Sequence, residues 1–137
     1  MCIRDSLGMT ALECGVDLLT EADMAAIRAK SLQLGRVVMD LMDEHCSGFG
    51  FRLVSPREDA RRGSHVSYAH PQGYGIMQAL KERGVIGDFR DPDVLRFGLT
   101  PLYLRHVDML DAVLAIRAVC ETRAWDDPRW AVWAAVT

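Results

Sequence analysis

At 137 residues the chain is long enough for one domain with its own core and short for two. Half of it is hydrophobic and 26% is charged, the proportions of a globular protein, which excludes disordered, collagen-like and mucin-like chains. Sixteen basic residues against nineteen acidic ones leave a net charge of −3, which argues against a phosphate backbone or an anionic membrane as partner.

Cys2, Cys14, Cys46 and Cys120 stand far apart with no C-x-x-C pair, the pattern of reduced thiols packed as small hydrophobes. No apolar run reaches the roughly 18 residues of a membrane span, and no basic start leads into an apolar block, so the expected compartment is the cytoplasm.

Residues 1–6 do not fit the helical pattern that starts at Leu7 and read as a foreign lead-in. Leu7, Met9, Leu12, Val16 and Leu19 make a short helical stripe, and Thr20 with Asp23 three residues on resembles an N-cap with a variant capping box. Met24, Ile27, Ser31, Leu34, Val38, Leu41 and His45 follow spacings of three and four. They predict one amphipathic helix of about 24 residues, stopped by Gly48 and Gly50.

Residues 51–54 and 64–69 read as strands joined by a wide polar turn. Pro71 opens a helix carrying Ile76, Met77 and Leu80, and Gly84 closes it. Strands come next at 85–89 and 94–99 around the turn dipeptide Asp91-Pro92, then a last helix from about Leu104 to Thr122. Trp125, Trp130 and Trp133 in the tail require a surface to pack on. The order predicts an α+β fold: a small, mostly antiparallel sheet covered by helices and preceded by a long helix.

Alternation along residues 94–99 puts Leu95, Phe97 and Leu99 on one face and Arg96 on the other. Arg96 is then either a solvated arginine or a guanidinium fork for a carboxylate or phosphate. Arg61-Arg62-Gly63, beside Glu58 and Asp59, reads as a solvated turn before it reads as an anion site. His45, His65, His70, His106 and Cys46 match no zinc-ligand spacing. Ser64 and Ser67 stand in no nucleophile elbow. The two lysines, Lys30 and Lys81, have the setting of solvated helical residues, and neither suggests a Schiff-base pocket.

The run GVIGDFRDPDVLRFGLTPLY, residues 84–103, resembles the carboxy-terminal segment of kynureninases, and so does SPREDARRGSHVSYAHPQGYGIMQAL, residues 55–80. The similarity extends through IRAKSLQL upstream and TRAWDDP to the final AVT downstream, while residues 1–6 depart from it. Such a resemblance implies the carboxy-terminal domain of the aspartate aminotransferase fold. Residues 7–50 would be a helix and the long connecting helix from a large domain, and residues 51–137 the small domain. It also implies a homodimeric, pyridoxal 5'-phosphate-dependent hydrolase of L-kynurenine, the cofactor being held mainly by a large domain outside this chain. By the same resemblance Arg96 binds the substrate's α-carboxylate, and no residue of the chain is assigned to proton transfer, cofactor or metal. A class V relative such as a cysteine desulfurase, or a non-catalytic α+β binding module, are the alternatives.

Overall fold

The computed structural model describes residues 3–130. Its elements are α1 (Ile3–Thr20), α2 (Met24–Cys46), β1 (Arg52–Leu53), β2 (His65–Ala69), α3 (Gly73–Glu82), β3 (Asp88–Arg90), β4 (Val94–Gly98) and α4 (His106–Glu121). The strands form one sheet in the order β1-β2-β4-β3, every pair antiparallel, so the expected α+β architecture holds.

The amino-terminal helix begins at Ile3, not Leu7, and so runs through the expected boundary at residue 6. Leu7, Leu12, Val16 and Leu19 on it stand exposed. Thr20 is not an N-cap: it closes α1, its Oγ1 donating to the Asp17 carbonyl at 2.7 Å. Asp23 takes the capping role itself, accepting from the Ala25 N–H at 2.8 Å. A cap must stand next to the unpaired N–H groups it serves, and only Asp23 adjoins the first turn of α2.

The long helix has 23 residues, close to expectation, but its buried face turns partway along. Ser31, Leu34 and Val38 are buried as expected, whereas further along Met39, Met42 and Cys46 are the buried residues, Leu41 and His45 are only partly buried, and Met24 is exposed. Steps of three and four from Val38 fit a 3.6-residue period equally well, so the choice falls to what α2 packs against.

That surface is α4 and one face of the sheet. Leu34, Val66, Ile76, Met77, Leu80, Leu95, Val113 and Val119 form its fully buried centre. Burial of each such side chain contributes about 1.5–3 kcal/mol. α3 lies on the same face, where a Cβ on Gly73 would stand 3.1 Å from both Leu95 Cδ1 and Phe89 Cε2.

Two boundaries move for local reasons. The third strand starts at Asp88 instead of residue 85 because the Val85 N–H is used to close α3, donating to the Leu80 carbonyl at 3.0 Å. α3 starts at Gly73 instead of Pro71 because the Gly73 N–H completes a turn to the His70 carbonyl at 2.8 Å.

The tryptophan tail finds its surface on α3. Trp125 crosses that helix so closely that a Cβ on Gly75 would meet the Trp125 carbonyl oxygen at 2.4 Å, which only glycine permits. Trp130 Nε1 donates to the Ala124 carbonyl at 3.3 Å, and Trp133 lies outside the described residues. Among the described residues no helix is long and apolar enough to cross a membrane.

Candidate functional site

Strand alternation and register together select the residues of the second sheet face. Leu95 and Phe97 point into the helical layer and are buried, so Arg96 between them points the other way. Directly opposed residues of an antiparallel pair share a face. Arg96 stands between Ser67 of β2 and Asp88 of β3, while Val94 stands between Ala69 and Arg90, so Asp88, Arg90 and Arg96 share that face. Arg52 of β1 opposes Ala69, and His65 opposes Gly98, which adds both to it.

The Arg96 side chain is 40% exposed, and its Nη2 donates to Asp88 Oδ2 at 2.7 Å. Arg90 Nε donates to the same oxygen, also at 2.7 Å. One carboxylate thus ties two guanidinium groups, and the array carries a net charge of +1. An accessible, oriented fork with surplus positive charge can hold a carboxylate or phosphate.

Asp88 is the member that sequence reasoning missed. The D-x-R spacing within GDFR is visible, but its opposition to Arg96 depends on where β3 begins to pair, and that start was expected three residues early.

Arg61-Arg62-Gly63 is not solvated throughout. Arg61 is exposed, yet the Arg62 side chain is only 2% exposed. Arg62 Nη1 donates to the carbonyls of Pro56 at 3.0 Å and Arg57 at 2.8 Å, and Nη2 donates to Asp59 Oδ1 at 2.7 Å. Arg36 also pairs with Asp59, and this partner is the main reason its carboxyl lies below the usual carboxylate range. With both terminal nitrogens engaged and the side chain buried, Arg62 staples the 55–63 loop and is not placed to receive an anion from solvent.

Lys30 is likewise no free surface lysine: its Nζ donates to the Pro101 carbonyl at 2.6 Å. Ser64 accepts a hydrogen bond from Ser31 Oγ at 2.7 Å, which takes its hydroxyl into a pair within the fold. His70 donates from Nε2 to the Phe49 carbonyl at 2.9 Å and accepts from the Gln72 N–H at Nδ1, 3.0 Å away. Both ring nitrogens are therefore used within the fold. Among the described residues no group of three or more His, Cys, Asp or Glu side chains is placed to hold a metal ion.

Residues 27–116 match the family model described as the kynureninase C-terminal domain. The chain belongs to the kynureninase family. It is 50% identical over 131 residues to the kynureninases of Burkholderia mallei (strain SAVP1) and Burkholderia pseudomallei (strain K96243), covering 96% of this chain and 32% of each relative. To the Pseudomonas fluorescens kynureninase it is 43% identical over 129 residues, 94% of this chain and 31% of that protein. The chain thus spans about a third of the length of these curated relatives, and a cysteine desulfurase is not favoured.

Kynureninases are an enzyme family for which pyridoxal phosphate is the implied cofactor. The residues present do not fit that cofactor by themselves. Its aldehyde requires a lysine; Lys30 is bound to a carbonyl, and Lys81 sits exposed in the last turn of α3, on the helical side of the sheet away from Arg96.

Proposed function

We propose that this chain is the carboxy-terminal part of a pyridoxal-phosphate-dependent kynureninase, and that Arg96 binds the α-carboxylate of L-kynurenine. The reaction of the whole protein adds water across the side-chain Cβ–Cγ bond and releases anthranilate and L-alanine; 3-hydroxykynurenine would give 3-hydroxyanthranilate. In this reading residues 7–50 join the small domain, 51–137, to a large domain that supplies the cofactor's lysine. The protein acts as a cytoplasmic homodimer in tryptophan breakdown.

The observation that carries the role of Arg96 is its placement: a partly exposed side chain on the sheet face opposite the helices, its guanidinium held at one nitrogen by Asp88. Its chemistry is positional. Two parallel N–H donors aimed at a carboxylate fix the orientation of the substrate's α-carbon without moving a proton.

The test is Arg96→Ala in the full-length protein. Removing one partner of a hydrogen-bonded ion pair that substrate and large domain together desolvate costs about 3–5 kcal/mol, or roughly 10²–10⁴ in kcat/KM. Arg96→Lys keeps the charge without the fork and recovers only part of the loss. A kcat/KM within about threefold of the parent after Arg96→Ala refutes the clamp.

A further inference from the structure

The carboxylate that shares the sheet face with Arg96 has an arrangement that a surface ion pair does not need. Asp88 Oδ2 accepts from Arg96 Nη2 and Arg90 Nε, each at 2.7 Å. Asp88 and Arg96 are direct cross-strand partners, so backbone pairing of β3 with β4 sets the separation from which the two side chains meet. Among the described residues Asp88 is the one hydrogen-bond partner of the Arg96 side chain. The second N–H of Nη2, with the Nη1 and Nε donors on either side of it, is left for an incoming group.

We infer that Asp88 is a positioning residue for substrate: it locks the Arg96 fork in the orientation that receives the α-carboxylate and sets the charge of the receiving array at +1. This rests on the proposed clamp role of Arg96. An unanchored arginine samples many rotamers and loses that freedom on binding; an arginine already tied at Nη2 has lost it beforehand. The anchor also decides what is bound. Two guanidinium groups and one carboxylate are neutralised by a single monoanionic carboxylate, so the array suits an amino-acid carboxylate better than a dianionic phosphate.

The sign of the effect separates positioning from plain electrostatics. Asp88 is an anion beside the place an anion must enter, so if charge alone mattered, Asp88→Asn would tighten substrate binding. Positioning requires the opposite.

The experiment is a double-mutant cycle in the full-length holoenzyme with L-kynurenine, using Asp88→Asn, Asp88→Ala, Arg96→Ala and the Arg96→Ala pairings. The expected result is a fall in kcat/KM of about tenfold for Asp88→Ala and less for Asp88→Asn, mostly through KM, with cofactor absorbance unchanged. In the Arg96→Ala background a further change at Asp88 should alter kcat/KM by less than about twofold. Equal losses in both backgrounds would make Asp88 merely structural and overturn the inference. So would parental or improved kcat/KM in Asp88→Asn, which also carries the test if Asp88→Ala fails to fold. Near-parental activity of Arg96→Ala alone would instead remove the clamp reading itself.

Discussion

Arg62→Ala should destabilise the chain far more than Arg61→Ala, although the two arginines are adjacent and read alike in sequence. Arg62 is buried against α2, where a Cβ on Gly35 would stand 3.1 Å from its Nε, and it donates to two loop carbonyls and to Asp59. Its own carbonyl accepts from Arg28 Nη2 at 2.8 Å, so loop and helix hold each other from both sides. Removing one partner of a buried ion pair typically costs about 3–5 kcal/mol when the other charge is stranded. Asp59 is not stranded, because Arg36 remains and a quarter of its side chain, 25%, is exposed. What remains is the loss of two charge-assisted bonds to carbonyls that water partly re-satisfies, giving about 2–4 kcal/mol. Arg61 is 69% exposed and meets Glu58 only at 3.5 Å. Its replacement should cost no more than about 0.5 kcal/mol. Urea denaturation of the chain, monitored by tryptophan fluorescence and far-ultraviolet circular dichroism, measures both. At a slope of about 1–3 kcal/mol/M, Arg62→Ala lowers the midpoint by roughly 1 M or more. Midpoints for the two variants within about 0.2 M of each other would refute the staple.

The thiols make a second contrast: burial pushes Cys46 up to about 11 and Cys120 up to about 12, whereas Cys14 is exposed. Iodoacetamide at pH 8 should label Cys14 rapidly and Cys46 and Cys120 only after urea is added, as peptide mapping would show. Because both thiols ionise earlier when unfolded, near 8.5, this contribution to stability should decline as pH rises from about 8.5 toward 11; a denaturation midpoint that climbs over that range contradicts it. The purified chain, mixed with pyridoxal phosphate and passed through gel filtration, should keep no visible absorbance band. A band fixed by borohydride on Lys30 or Lys81 would overturn the assignment of the cofactor lysine to a large domain.

Much of the fold was legible in the sequence because it depends on local period and punctuation. The 3–4 spacing of α2, the alternation of residues 94–99 and the glycine after α3 each report a backbone state without reference to distant residues. Arg96 could be placed on the face away from Leu95 and Phe97 on that ground alone, and the long ungapped runs around it carried the family resemblance. Decisions that depend on a partner far along the chain were not legible. Whether α2 buries Leu41 or Met42 more deeply is settled by α4 and the sheet, since both fit one helical period. Arg62 differs from Arg61 only because the 55–63 loop folds over Gly35, far upstream on α2, and converts a basic dipeptide into one buried staple and one solvated side chain. Asp88 meets Arg96 only through the register of two strands, and register is a tertiary quantity: a slip of one residue would send Asp88 to the opposite face and leave the fork without its anchor.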